Sequence, residues 1–179
     1  MSRWGIDDNR IAAALAAVRP DGVGERSLDV DDRDDRIDDE PRVIDDLFAR
    51  AIWSVLVEPG DSTAGALIAA VGAVTAARLV IDRAPAQTIS DATRGEVTTD
   101  AATSGVARWI ERLRANDVMR SLESAARCRA VMVVPGDAHW PESLDALGDS
   151  PPVLLWARGD TALLRRPGDW HSAELKWAL

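Results

Sequence analysis

Tyrosine is absent, and the chain holds one phenylalanine, one cysteine, one lysine and two histidines. A single cysteine excludes an intrachain disulfide and a cysteine-built zinc site. The histidines, His139 and His171, lie far apart in sequence and leave little for a histidine-based metal site. With Lys176 as the sole lysine, no G-x-x-x-x-G-K-[ST] phosphate loop can form. No G-x-S-x-G nucleophile elbow occurs. No G-x-G-x-x-G follows a candidate strand, and Gly22-Val23-Gly24 sits in a polar stretch. Long apolar runs are also lacking. Residues 64–77 form a near-apolar run of 14 residues with two Gly and one Thr, too short to span a membrane. The N-terminus has no basic region leading into an apolar core. The expectations are a cytoplasmic chain with no membrane partner, no metal, no cofactor and no small-molecule substrate. No catalytic constellation is visible, so the chain reads as not an enzyme.

What is there suffices for one ordinary domain or two small ones, since 46% of the 179 residues are apolar. Thirty of these are alanines, which bury little area each; Leu, Ile, Val and Phe together number 42. The net charge of −9 argues against a generally basic nucleic-acid surface. Residues 1–46 carry 14 acidic and 7 basic side chains, so most of the excess lies there. Within that segment, residues 29–40 read DVDDRDDRIDDE, eight acids in twelve positions. Such a run repels itself and cannot offset its ordering entropy by burial. Residues 1–42 are therefore expected to be an acidic, disordered segment. It holds a short Ala-rich helix over residues 6–18, stopped by Pro20 and Gly22 and not expected to pack firmly.

From Asp45 the pattern changes. Phe48, Ile52, Val55 and Leu56 make an amphipathic stripe ended by Pro59-Gly60. Asp61, Ser62 and Thr63 offer caps for a second helix, and a third follows Gly72 to about Arg83. Two apolar helices joined at Val71-Gly72-Ala73 resemble a helix–hairpin–helix unit. Residues 85–100 read as a polar loop with room for a short turn of helix. Val106, Trp109, Ile110 and Leu113 repeat the stripe, with Arg108, Glu111, Arg112 and Arg114 opposite, and another helix is expected over 118–128. The period then becomes extended. Residues 130–134 and 153–156 are strand candidates, apolar on both faces as in a sheet covered on both sides.

Few side chains invite chemistry. His139 reads as a turn residue beside Trp140, and His171 lies among the last nine residues. Cys128 reads as a small core residue at a helix end. The Gly72 hairpin could turn backbone N–H groups toward a phosphate, but no cation follows until Arg78, so the expectation is a structural hairpin. Arg108/Arg112/Arg114, Arg127/Arg129 and Arg165/Arg166 are the arginine-rich patches. Trp53 and Trp109 sit on apolar stripes and are expected in the core.

Residues 133–160, VVPGDAHWPESLDALGDSPPVLLWARGD, are the most specific segment. A strand ends at Pro135-Gly136-Asp137, Trp140-Pro141 follows, and Leu144 and Leu147 can seal the turn against the sheet. Asp149-Ser150-Pro151-Pro152 resets the chain into a second strand that ends at Arg158-Gly159. This resembles the entry to the Rossmann-like domain of the DNA-processing protein A (DprA/Smf) family, with Trp140 where Tyr is usual. The upstream hairpin and the Trp109 helix resemble the SAM-like helical domain of actinobacterial members. The resemblance covers roughly residues 43–165.

The resemblance implies a mainly α fold. A SAM-like, helix–hairpin–helix domain at 43–128 is followed by the first strands of an incomplete Rossmann-like α/β domain at 129–179. It implies single-stranded DNA and a RecA-type recombinase as partners, in natural transformation. The family's G-[ST]-R-x-x-[ST]-x-Y-G pocket motif is missing, because after Arg166 the chain reads PGDWHSAELKWAL. The expectation is a C-terminally truncated member whose tail looks out of frame. Its DNA-binding residues are left unassigned, and its own affinity for single-stranded DNA is expected to be weak. With the rest of the domain missing, one face of the strands is expected to stay uncovered and residues 130–179 to be the least stable part. The alternative is a small helical protein-interaction module with no DNA role.

Overall fold

A computed structural model describes residues 4–19, 36–148 and 150–165, apart from the side chains of 36–41 and 115. Residues 20–35, Asp149 and everything after Arg165, including His171, lie outside the described residues. The fold is mainly helical. In chain order it holds α1 (Asp8–Val18), α2 (Arg36–Leu56), α3 (Ser62–Val71), α4 (Ala73–Ile81), α5 (Ala86–Ala92), α6 (Thr99–Arg112) and α7 (Ala115–Arg127). Strands β1 (Val131–Val133) and β2 (Leu155–Ala157) follow, with 3-10 turns at Glu142–Leu147 and Thr161–Arg165.

Short polar side chains start α1, α3 and α6, where the first backbone N–H groups would otherwise be unpaired. Asp7 accepts from the Arg10 N–H at 3.0 Å, Asp61 from that of Ala64 at 3.1 Å, and Thr98 from that of Ala101 at 3.2 Å. The longest helix, α2, runs through the centre and packs on α1, α4, α6 and α7. Its Trp53 is fully buried and meets Trp109 of α6 edge-on, ring centroids 5.2 Å apart. The Trp53 indole N–H donates to the Ala73 carbonyl at 3.1 Å, so one aromatic ties α2 to the start of α4.

Trp109 folds back along α6 over Gly105, as i, i+4 neighbours do. A Cβ at Gly105 would stand 2.7 Å from the Trp109 ring. Gly105→Ala is therefore expected to destabilise by about 1–2 kcal/mol net, since overpacking outweighs the helix-propensity gain. Urea unfolding checks this; a stabilised variant would mean that the ring has room to move.

Two expectations for residues 1–42 are corrected. The first turns of α2 begin at Arg36, inside the acidic run. Carboxylates are tolerated there because the N-terminal end of a helix carries partial positive charge. The Ala-rich helix α1 also packs firmly: Ile11, Leu15 and Val18, at i, i+4 and i+7, are buried against α7 and α2. Trp4, just before α1, donates to Asp45 at 2.9 Å and meets Phe48 edge-on.

The strands pair antiparallel, Val131 with Ala157, Met132 with Trp156 and Val133 with Leu155. Their side chains alternate between two apolar layers, as the pleat requires. Met132, Val134, Leu154 and Trp156 pack into the helical core. Val131, Val133, Leu155 and Ala157 face Trp140, Leu144 and Leu164. Both faces are covered among the described residues, which corrects the expectation of a bare face. The connection between the strands, with the turn after β2, folds back as a lid. Leu144 contributes to it, whereas Leu147, expected to seal the same turn, is 51% exposed.

Two arginines fasten this hairpin to the helices. Arg19, capping α1, grips Asp137 with both terminal nitrogens at 2.7 and 2.9 Å and donates to the Met132 carbonyl at 3.0 Å. Arg50 of α2 bonds Asp46 at 2.9 Å and the Val153 carbonyl at 3.2 Å. The boundary expected at residue 129 therefore separates segments that share one core and two charged clamps.

Candidate nucleic-acid interface

The α3–α4 unit bends by 115° at Gly72. That residue has φ 80° and ψ 156°, a left-handed φ that an L side chain would strain. Its N–H is taken by the Ile68 carbonyl at 2.8 Å. The next residue, Ala73, is buried, and its carbonyl receives Trp53. The next cation along the chain, Arg78, faces Asp82 at 4.0 Å. The tip is thus apolar, anchored in the core and without an uncommitted positive charge, as a structural hairpin would be.

The arginine patches divide. Arg108 pairs with Asp61 at 3.3 Å, and the same carboxylate accepts the Trp109 indole N–H at 2.9 Å. Arg112 pairs with Glu58, Arg120 with Asp117 at 3.3 Å, and Arg165 with Glu142 at 3.9 Å. Two arginines of the α6 patch are therefore neutralised by the α2–α3 loop and by the cap of α3, while the third, Arg114 at the start of α7, is exposed and has no carboxylate partner among the described residues. Arg127 and Arg129, at the end of α7, are exposed and have no carboxylate partner among the described residues.

Cys128 stands between them and is exposed, which corrects its expected place in the core. It caps α7, where the chain turns away from the apolar face toward β1. Arg129 follows with φ 53°. The Ala130 N–H reaches back to the Ala125 carbonyl at 2.9 Å, a helix-ending turn that usually places glycine where Arg129 stands.

His139 is half-buried, with Nδ1 2.7 Å from the Thr161 hydroxyl; it clips one turn to another, as a turn histidine does. Trp140 is buried against the sheet and donates to Asp145 at 3.1 Å. Asp137 serves the turn itself, accepting the Val134 N–H at 2.8 Å as well as Arg19. Among the described residues no cluster of His, Cys, Asp or Glu could hold a metal ion, and no single helix is long and apolar enough to cross a membrane.

Asp137 and Trp140 stand out in the sequence, whereas Arg19, which the structure brings to Asp137 from 118 positions away, does not. No local pattern marks Arg19. The signal available for Arg127 and Arg129 is the lack of any Asp or Glu from Ser124 to Gly136 in an otherwise acidic chain. Comparison with protein-family models, curated proteins and solved structures finds no match to this chain.

Proposed function

We propose that the chain handles single-stranded DNA in the cytoplasm in the manner of the DNA-processing protein A (DprA/Smf) family, with a RecA-type recombinase as its protein partner. In this reading α2 to α7 are a SAM-like domain containing a helix–hairpin–helix unit, and β1 and β2 open a Rossmann-like unit. The observation that carries it is the segment of closest resemblance. Its Pro-Gly-Asp turn, its buried Trp140-Pro141 pair and the strand after Pro151-Pro152 form one packed lid-and-sheet unit. A doubly wound sheet is built on parallel strands, so the antiparallel pair would be an edge element of it. No enzymatic step is part of this role.

Fluorescence anisotropy with a labelled oligonucleotide tests the reading. With few uncommitted cations, the expected dissociation constant at physiological salt is about 10⁻⁵ M, in the range of non-specific binding, and it tightens as salt is lowered. A single strand should bind better than the same sequence as a duplex. No binding even at low salt would overturn the reading and leave the helical interaction module.

A further inference from the structure

We propose that the end of α7 and the start of β1, carrying Arg127 and Arg129, is the surface on which this chain holds the phosphate backbone of single-stranded DNA. The inference rests on the single-stranded DNA reading above and deepens it.

Charge distribution carries the argument. In a chain of net charge −9, the stretch from Ser124 to Gly136 holds two arginines and no acid. The preceding acid, Glu123, stands one turn before Arg127, where it could pair with it. It faces Arg10 instead, at 3.6 Å. The strand register sets Arg158, exposed at the exit of β2, one step beyond the Val131–Ala157 pair and so beside Ala130. One end of the hairpin therefore collects exposed guanidinium groups, two of them uncommitted, on a surface formed by a rigid helix end and a strand.

Backbone conformation supports the same place. Arg83, Arg94 and Arg129 all adopt left-handed φ values, 53°, 55° and 53°, at helix ends. A cation there complements the negative end of the helix, and this accounts for all three equally. Arg83 and Arg94, however, stand beside acids, Asp82 for the first and Asp91 and Glu96 for the second. Neither has an ion-pair partner among the described residues, but of the three only Arg129 has no Asp or Glu within five residues of it along the chain, and a second unpaired arginine stands two residues away. Guanidinium groups bind phosphate oxygens through paired N–H donors, a geometry suited to a flexible single strand.

The three equivalent positions supply the test. Arg127→Gln/Arg129→Gln and Arg83→Gln/Arg94→Gln remove the same charge from different places. Each full-length variant is titrated with a labelled oligothymidine at several salt concentrations. For the Arg127/Arg129 pair the slope of log affinity against log salt should fall by about 1.4, the contribution of two phosphate contacts on a single strand. The Arg83/Arg94 pair should leave the slope near that of the parent chain. Arg129→Gly guards against misfolding, because it should lose affinity while its melting temperature holds or rises. Cys128, the only cysteine, reports locally: its alkylation by iodoacetamide should slow severalfold when oligonucleotide is bound. A parent chain that binds, with equal slopes for both double variants and unprotected Cys128, would overturn this surface and leave the single-stranded DNA reading standing. A parent chain that does not bind at low salt would overturn both.

Discussion

Asp137→Ala should destabilise the protein by about 3 kcal/mol, one of the two largest effects expected of a single substitution. The carboxylate accepts two bonds from Arg19 and one from the Val134 N–H. The two side chains are only 11% and 12% exposed. Removing one partner of such a pair leaves an uncompensated charge where water reaches poorly. Arg19 is poorly placed to find another, since its Nε is already buried without a partner. Arg19→Met should cost less, because Asp137 keeps the Val134 N–H and Met can fill the space with apolar atoms. The double variant should cost less than the sum of the two, the mark of a direct coupling. Guanidinium unfolding of the four proteins reads this out. Additive losses would show that the clamp is decorative.

Trp109→Ala should cost about 3–5 kcal/mol. The ring fills the space between α6 and α2, edge-on to Trp53, and is 1% exposed. Its loss opens a cavity beside Trp53 and removes the indole N–H that holds Asp61. Asp61 in turn caps α3, so the variant should loosen α3 as well as empty the core. Trp109→Phe should recover much of the packing but not the bond to Asp61, and should fall between the two. Thermal unfolding followed by circular dichroism separates the three. If the Phe variant were as stable as the parent chain, the link to Asp61 would be worth nothing.

Local structure is legible in the sequence. The apolar stripe of Phe48, Ile52 and Leu56, the Asp61 cap, the break at Gly72 and the burial of Trp53 and Trp109 all follow from periodicity and cap chemistry. Both short strands lie within or beside the apolar runs that mark them. What local pattern could not show was which remote partners the segments would find. The helix α1 offers little apolar area by its local pattern, because five of its eleven residues are alanine. Its stability comes from three large side chains meeting α7 and α2, and from an arginine that reaches Asp137. The same holds for the hairpin. Its two apolar faces imply two covering layers, but no local pattern says which segments supply them. The helices cover one face and the lid around Trp140 and Leu164 covers the other. Cys128 was misplaced for a related reason: it follows the last turn of α7, beyond the point where the helical stripe governs burial. In the candidate interface, Arg127 and Arg129 were visible as a pair. Their freedom from carboxylates depends on a remote contact, Glu123 facing Arg10, that no local pattern encodes.

Native-state hydrogen exchange most directly tests whether helices and hairpin are one folded body. With the core shared across the sheet and the clamps at Arg19 and Arg50, the ladder amides of β1 and β2 should open only with global unfolding. Their opening free energies should match those of α2 around Trp53. Ladder amides that exchange through a low-energy local opening, while α2 stays protected, would contradict this and restore a boundary between the helical segment and the strands.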